Sequence, residues 1–202
     1  MPSPSKYSWN EVAGRYRGAN GQFVSFERIR SFLDQALDRN EARVASLASK
    51  LRNRQITLAE WQIEMRDTIK DIHLASSALA RGGWAQMSEV DYAKVAEKIE
   101  FQLQKLNDFA LQIEKGLPLD GRFARRTTLY AQSGRVTYHE SLRNEMALRG
   151  FTLEKSVLAS SDHCSECVSE AAKGFVPIGD LVLIGERICR SNCRCHVEFS
   201  EG

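Results

Sequence analysis

The residues best suited to chemistry in this chain are five cysteines close to its C-terminal end. Cys164 and Cys167 form a C-x-x-C pair, and Cys189, Cys193 and Cys195 follow in a C-x-x-x-C-x-C arrangement. Thiolates at such spacings are typical ligands of a tetrahedral metal site, and zinc is the usual metal because it prefers sulfur and nitrogen ligands. The sequence therefore predicts one structural Zn²⁺ held by four of these five cysteines.

Two other interpretations of the cysteines stay open at this level. Disulfides are one, although the number of cysteines is odd and the N-terminus does not resemble a secretory signal. A redox or nucleophilic cysteine is the other, although no histidine with an Asn or Asp can be assigned to it. His163 and His196 adjoin cysteines and are alternative ligands, but supporting or solvent-facing roles are favoured for both.

The familiar catalytic motifs are missing from the sequence. The segment from His139 to Arg143 begins like the zinc-protease motif H-E-x-x-H, but an arginine stands where the second ligand is required. A Gly-rich phosphate loop, a G-x-S-x-G elbow and the deaminase pattern H-x-E…P-C-x-x-C are also absent. We therefore expect a protein that is not an enzyme.

Composition fits a water-soluble globular chain whose charge is unevenly distributed. Of the 202 residues, 43% are hydrophobic and 27% are charged, and the formal net charge is +2. No apolar run approaches the roughly 20 residues that cross a bilayer, so no membrane partner is expected. Residues 1–30 and 120–150 are basic, whereas residues 151–202 contain eight acidic and five basic residues.

The elements that must position the cysteines begin with an arm and a first helix. Residues 1–24 are predicted to form an N-terminal arm with a hairpin that turns at Asn20-Gly21. Ser25 is a suitable cap for a helix of about 27 residues, or ~40 Å. One face of this helix carries a stripe at helical spacing, interrupted by one polar residue: Phe26, Ile29, Leu33, Leu37, Asn40, Val44, Leu47 and Leu51.

Two further helices have clear start and stop residues. Thr57 and Glu60 match a capping box, and Gly82-Gly83 ends that second helix. A third begins at Ser88 or Glu89 and stops at Gly116. The predicted core-facing stripes are Leu58, Trp61, Met65, Ile69, Ile72, Ala75 and Leu79 in the second helix, and Tyr92, Val95, Ile99, Leu103, Leu106, Ala110 and Ile113 in the third.

A fourth helix is predicted from about Asp120 to Leu148. Small residues on its inner face, such as Gly134, would let a neighbouring helix approach closely. Its arginines either form a solvated face or meet an acidic partner, and the sequence does not favour one over the other: Arg122, Arg125, Arg126, Arg135, Arg143 and Arg149. Four long helices with short connections predict an elongated antiparallel bundle over residues 25–150.

Residues 151–202 are predicted to form a small β lobe around the cysteines. The segment from Phe151 to Leu158 alternates as a half-buried strand does, and so does the segment from Cys193 to Phe199. In a strand, Cys193 and Cys195 would point to one face and Arg194 to the other. A lobe of this size has little core of its own, and zinc would contribute on the order of 10 kcal/mol to its stability. The fold class expected is therefore mainly α, with a helical bundle and a zinc-stapled C-terminal β lobe.

The cysteine pattern resembles that of a known family. Cys164-Ser-Glu-Cys167 and Asn192-Cys193-Arg194-Cys195 are similar to the C-terminal part of tailed-phage minor head proteins of the Mu F-like phage head morphogenesis family, where a C-x-x-C is closed by H-P-N-C-R-C. This chain has no histidine at the position of the family's histidine, and Cys189 lies one residue upstream of that position. Either Cys189 or Cys195 would thus be the fourth ligand. The opening R-Y-R-x-x-N-G-x-F-V-S, residues 15–25, also resembles other phage-encoded proteins.

The resemblance implies a non-catalytic component of a phage head. Such a protein is made in the host cytoplasm, is present in several copies per virion, associates with portal or major capsid protein, and helps head assembly, DNA packaging or ejection. The basic arm and fourth helix could then touch packaged DNA without sequence preference. The alternative is a nucleic-acid-binding zinc module with a helical oligomerisation domain. The net acidic lobe disfavours it, because phosphate binding requires clustered Lys and Arg.

Overall fold

A computed structural model describes residues 7–10, 12–159 and 163–202. Residues 1–6 of the predicted N-terminal arm lie outside the described residues. The described part is mainly helical, with one small antiparallel sheet near each end and the cysteines gathered in the C-terminal lobe. The predicted fold class is therefore confirmed. Within this part of the chain, no helix is both long and apolar enough to span a membrane.

The N-terminal sheet contains strands β1 (Tyr7–Asn10), β2 (Arg15–Gly18) and β3 (Phe23–Val24), all antiparallel. Strands β2 and β3 form the predicted hairpin, whereas β1 was not predicted. Tyr16 on β2 is buried, and its hydroxyl donates a hydrogen bond to the carbonyl oxygen of Ala80 at 2.9 Å. This contact fixes the small sheet on the bundle.

The first three helices are α1 (Phe26–Arg52), α2 (Leu58–Arg81) and α3 (Glu89–Glu114). Their caps are those expected from the sequence. Ser25 accepts from the N–H of Arg28, and the reciprocal Thr57–Glu60 capping box is present. Helix α3 has a capping box as well, in which Asp91 serves as the partner of Ser88. Local capping chemistry therefore sets these helix starts.

The fourth helix was predicted as one segment, and that prediction is wrong. The structure divides it into α4 (Gly121–Gln132) and α5 (Gly134–Leu148) at Ser133, whose hydroxyl donates to the Tyr130 carbonyl at 2.6 Å. Such a side-chain bond competes with the helical ladder and bends helices. A Cβ on Gly134 would overlap Ile72 and lie 2.8 Å from Ser76 Oγ. Helix α5 therefore approaches α2 closely here, as the small residue predicted.

Helix α3 departs from the predicted packing. The stripes of α1 and α2 are almost entirely buried, but Tyr92 on α3 is 43% exposed. Ile99 and Leu103, also predicted to face the core, are half-buried and line a groove between α2 and α3. Phe101 is 55% exposed on the same helix. Helix α3 thus leaves part of its apolar surface open.

The C-terminal lobe pairs β4 (Leu153–Val157) with β5 (Val176–Pro177) on one side and β6 (His196–Ser200) on the other. Strand β4 was predicted. Helix α6 (Ser165–Ala172) was not, so the C-x-x-C pair belongs to a helix start within a lobe that was expected to be β-rich. The closing strand was predicted from Cys193 to Phe199, but β6 begins at His196, so Cys193 and Cys195 precede it. The two cysteines are buried and Arg194 is exposed, as the predicted alternation requires.

Candidate metal centre

The first two cysteines are positioned by the start of α6. Cys164 is the N-cap residue of this helix, and its Sγ accepts a hydrogen bond from the Cys167 N–H at 3.4 Å. Backbone N–H groups at a helix start stabilise negative charge. This hydrogen bond lowers the pKa of the Cys164 thiol to about 7. Cys167 lies one turn further and is buried.

Two acidic residues of α6 hold the loop that carries the next cysteine. The Glu170 carboxylate accepts from the Val182 N–H at 2.9 Å, and the Glu166 carboxylate accepts from the Ile188 N–H at 2.6 Å. Both bonds fix backbone between residues 182 and 188, directly before Cys189. Helix α6 therefore supplies one pair of cysteines and orients the segment that brings the third.

The structure brings all five predicted cysteines together. Cys167 is at the centre: its Sγ lies 3.5 Å from the Sγ of Cys189 and 3.5 Å from that of Cys193. The five form two overlapping groups with sulfur atoms within 4.8 Å of one another, Cys164–Cys167–Cys189 and Cys167–Cys193–Cys195. Four thiolates at 2.3 Å from one zinc ion would lie about 3.8 Å apart. The separations at Cys167 are thus close to those of a tetrahedral thiolate site.

The positions of Cys189 and Cys195 are not equivalent. The Cys189 thiol interacts with those of Cys164, Cys167 and Cys193, which belong to both groups. The Cys195 Sγ groups with those of Cys167 and Cys193 and lies 3.8 Å from His163 Nδ1. Cys189 is therefore the more central of the two.

Burial opposes ionisation of most of these thiols. Removal from water raises the pKa of Cys167, Cys189, Cys193 and Cys195. Neighbouring thiolates would also repel one another, as Cys167 and Cys193 do. A divalent cation removes both penalties, because it stabilises the thiolate form and displaces the protons. The chemistry and spacing of the donor set therefore fit a thiolate-bound metal ion.

The histidines near the cysteines have different surroundings. His163 Nδ1 lies 3.8 Å from the Sγ of Cys195. His196 is in β6, and burial lowers its pKa. Neither belongs to the two groups of potential ligands in the described part of the chain. His139 is fully enclosed in the bundle, where burial keeps its pKa well below the usual value.

Sequence reasoning missed one residue of this centre. Arg187 is 0% exposed, and its Nη1 lies 3.8 Å from Cys167 Sγ. Its place two residues before Cys189 is the only hint in the sequence, and a charged residue in a loop is ordinarily expected in solvent.

Arginines attach the lobe to the bundle. Arg194, between the two last cysteines, points away from them and pairs with Asp34 on α1 at 3.1 Å. Asp34 also pairs with the buried Arg135 at 2.7 Å, and Arg143 pairs with Glu154 on β4. Three members of the predicted arginine run, Arg135, Arg143 and Arg149, therefore meet acidic residues of their own chain.

Comparison with known proteins gives no relative for this arrangement. No family model matches the chain, and no curated protein or solved structure is significantly similar to it.

Proposed function

We propose that the cysteine centre holds one structural Zn²⁺ through Cys164, Cys167, Cys189 and Cys193. Support comes from the short sulfur separations at Cys167 and from the central place of Cys189. Four protein thiolates fill a tetrahedral shell and leave no position for water or substrate, as in closed structural sites. The ion would then stabilise a lobe whose small buried cluster consists largely of the cysteines with Ile184 and Val197.

We further propose that the protein is a minor head protein of a tailed phage. The observation that carries this proposal is the convergence of the C-x-x-C and N-C-R-C segments, on which the resemblance to that family rests, into one centre. Arg194 of the second segment docks on α1 through Asp34. The motif therefore fastens the lobe to a helical body, which suits a structural component better than a mobile binding module.

The open surface of α3 supports a role in assembly. Tyr92, Ile99 and Leu103 line its groove with α2, which has a volume of about 630 Å³, and Tyr92 is 43% exposed. Apolar surface of this kind on a soluble chain commonly marks contacts with other proteins. The nucleic-acid alternative gains less support, because Arg135 and Arg143 are engaged inside the molecule.

Co-expression with capsid components tests the proposal. The tagged chain should recover portal or major capsid protein from nuclease-treated lysate, because the proposed contacts are between proteins. Tyr92→Ser, in the groove, should weaken recovery several-fold, whereas Leu148→Ser, at a 77% exposed position on α5, serves as the control and should not. Recovery of nucleic acid alone, lost after nuclease treatment, would instead favour the nucleic-acid-binding module.

A further inference from the structure

We propose that Arg187 is the buried counter-ion of the metal–thiolate centre and sets its metal affinity. The proposal rests on metal occupancy of the cysteine centre, as proposed above, and it assigns a role to a residue outside the ligand set. Arg187 would touch the metal only through Cys167, so it is a positioning residue.

The first observation is that Arg187 is completely buried. Its Nε donates to the Val182 carbonyl at 2.9 Å, and its Nη1 donates to Ser156 Oγ at 2.9 Å. The same Nη1 lies 3.8 Å from Cys167 Sγ, within reach of a hydrogen bond to sulfur. Hydrogen bonds to neutral groups satisfy donors but do not compensate a buried positive charge, which requires an anion nearby.

The second observation concerns that anion. Among the described residues, no carboxylate lies within 4.0 Å of the Arg187 guanidinium. The Glu170 carboxylate acts on it from a longer distance, but that group pairs with Lys173 at 2.7 Å and accepts the Val182 N–H. Four thiolates around one Zn²⁺ carry a formal charge of about −2. The metal-loaded centre is therefore the negative charge that Arg187 faces at short range.

The fold holds Arg187 in this place. Gly185, two residues earlier, has φ of +104° and packs against Val136 on α5, where an added Cβ would lie 3.1 Å from the Val136 Cβ. Ser156 belongs to the central strand β4. The backbone before Arg187 is thus fixed at Gly185, and the guanidinium of Arg187 is held by its hydrogen bond to Ser156.

A consequence is that Arg187 and the metal stabilise one another. When the centre is loaded, the guanidinium faces thiolates. When the metal leaves and the sulfur atoms take up protons, the guanidinium stays buried without a close counter-charge. Coupling between the two is reciprocal, and the loss of a supporting contact of this kind typically lowers metal affinity by about 10–100-fold.

The test compares the full-length chain with Arg187→Met and Arg187→Lys. Zinc affinity is measured by competition with a chromophoric chelator, and the Co²⁺-substituted proteins are examined by absorption spectroscopy. Arg187→Met should weaken zinc binding about 10–100-fold and shift the thiolate-to-Co²⁺ charge-transfer band while tetrahedral coordination is kept. Arg187→Lys keeps the charge, so it should retain most of the affinity.

Thermal unfolding with and without chelator separates charge from packing. Arg187→Met should lower the melting temperature of the zinc-loaded protein more than that of the metal-free protein. The reason is that the guanidinium faces thiolates only when zinc is bound. Equal falls in both states, or unchanged zinc affinity, would overturn the proposal while the zinc centre stands. Wild-type protein without bound metal would overturn both.

A second variant keeps the proposal testable if Arg187→Met does not fold. Ser156→Ala removes one bond that orients the guanidinium and leaves all charges in place. It should weaken zinc binding several-fold in a protein that still folds, and unchanged affinity would contradict the positioning role.

Discussion

Arg143 Nε lies 2.9 Å from Glu154 Oε2, and this ion pair joins α5 to the central strand of the C-terminal sheet. Glu154 is 0% exposed. Its second carboxylate oxygen accepts from the backbone N–H groups of Gly179 and Leu181, and Arg143 also donates to the Leu181 carbonyl. The pair thus organises the turn at residues 179–181 and ties the lobe to the bundle through buried, directional contacts.

Removing the arginine of this pair should destabilise the protein strongly. Arg143→Met leaves the Glu154 carboxylate buried without a cation, which should cost about 3–5 kcal/mol in the free energy of unfolding. Urea denaturation followed by circular dichroism measures the loss. The control is Lys155→Met, which breaks the exposed Lys155–Glu198 pair at 3.9 Å and should cost less than about 1 kcal/mol. Similar losses in both variants would contradict the role assigned to Arg143.

The sequence predicts the helices well because their determinants are local. Thr57 with Glu60, and Ser88 at the start of α3, satisfy N–H groups three residues away, so these caps are visible in the sequence. The polar interruption of the α1 stripe also has a local solution, since Asn40 donates to the Ala36 carbonyl one turn earlier. By contrast, the open face of α3 depends on which neighbours cover it, and periodicity alone cannot show that.

Gly134 should not tolerate even one methyl group. Gly134→Ala places a Cβ against Ile72 and Ser76 at the contact of α5 with α2, so despite the better helix propensity of alanine we expect a loss of about 1–3 kcal/mol. Gly121, in the first turn of α4, has no atom within 4 Å of such a Cβ. Gly121→Ala should therefore be neutral or slightly stabilising. Thermal unfolding of the two variants checks both, and a harmless Gly134→Ala would show that the helices can separate.

Acid should weaken the bundle through His73. Its Nδ1 lies 2.6 Å from Thr137 Oγ1 and its Nε2 lies 3.2 Å from Ser133 Oγ. Because the Ser133 hydroxyl donates to Tyr130, Nε2–H is the donor and Nδ1 the acceptor of a neutral ring. Burial, helped by Lys98, lowers the pKa of His73 from 6.5 to about 4. The stabilisation is complete above the unfolded pKa near 6.5 and is lost as pH falls toward 4, by up to about 1.4 kcal/mol per pH unit.

A substitution isolates this contribution from other acid-sensitive groups. His139 is also buried with a lowered pKa, and thiolate ligands take up protons in acid, so the wild-type slope alone is not diagnostic. His73→Gln keeps one donor and one acceptor but cannot be protonated. Between pH 6.5 and 5 its unfolding free energy should decline less steeply than that of the wild type, in urea titrations with saturating zinc. Parallel curves would show that His73 does not account for the acid sensitivity.

The cysteine centre was only partly predictable. The sequence spacing identified the five cysteines as candidate metal ligands, because ligands that come from one turn or one helix start lie close together in the sequence. Their grouping depends on contacts between distant segments: Glu166 fixes Ile188, and Gly185 packs against Val136. Arg187 could not be recognised for the same reason, since its burial results from the meeting of β4, α6 and the loop before Cys189.

The ligand set gives the last prediction. Serine at position 164, 167, 189 or 193 should abolish stoichiometric zinc, because each substitution removes one of the four thiolates of the proposed tetrahedral shell. Cys195→Ser is the matched control and should keep about one zinc per chain by elemental analysis, since Cys195 is outside the proposed set of four ligands. Chelation should expose residues 151–202 to proteolysis but leave most helical circular dichroism, because the main apolar cluster lies in α1–α5. If Cys195→Ser loses zinc while Cys189→Ser retains it, Cys195 is the fourth ligand in place of Cys189.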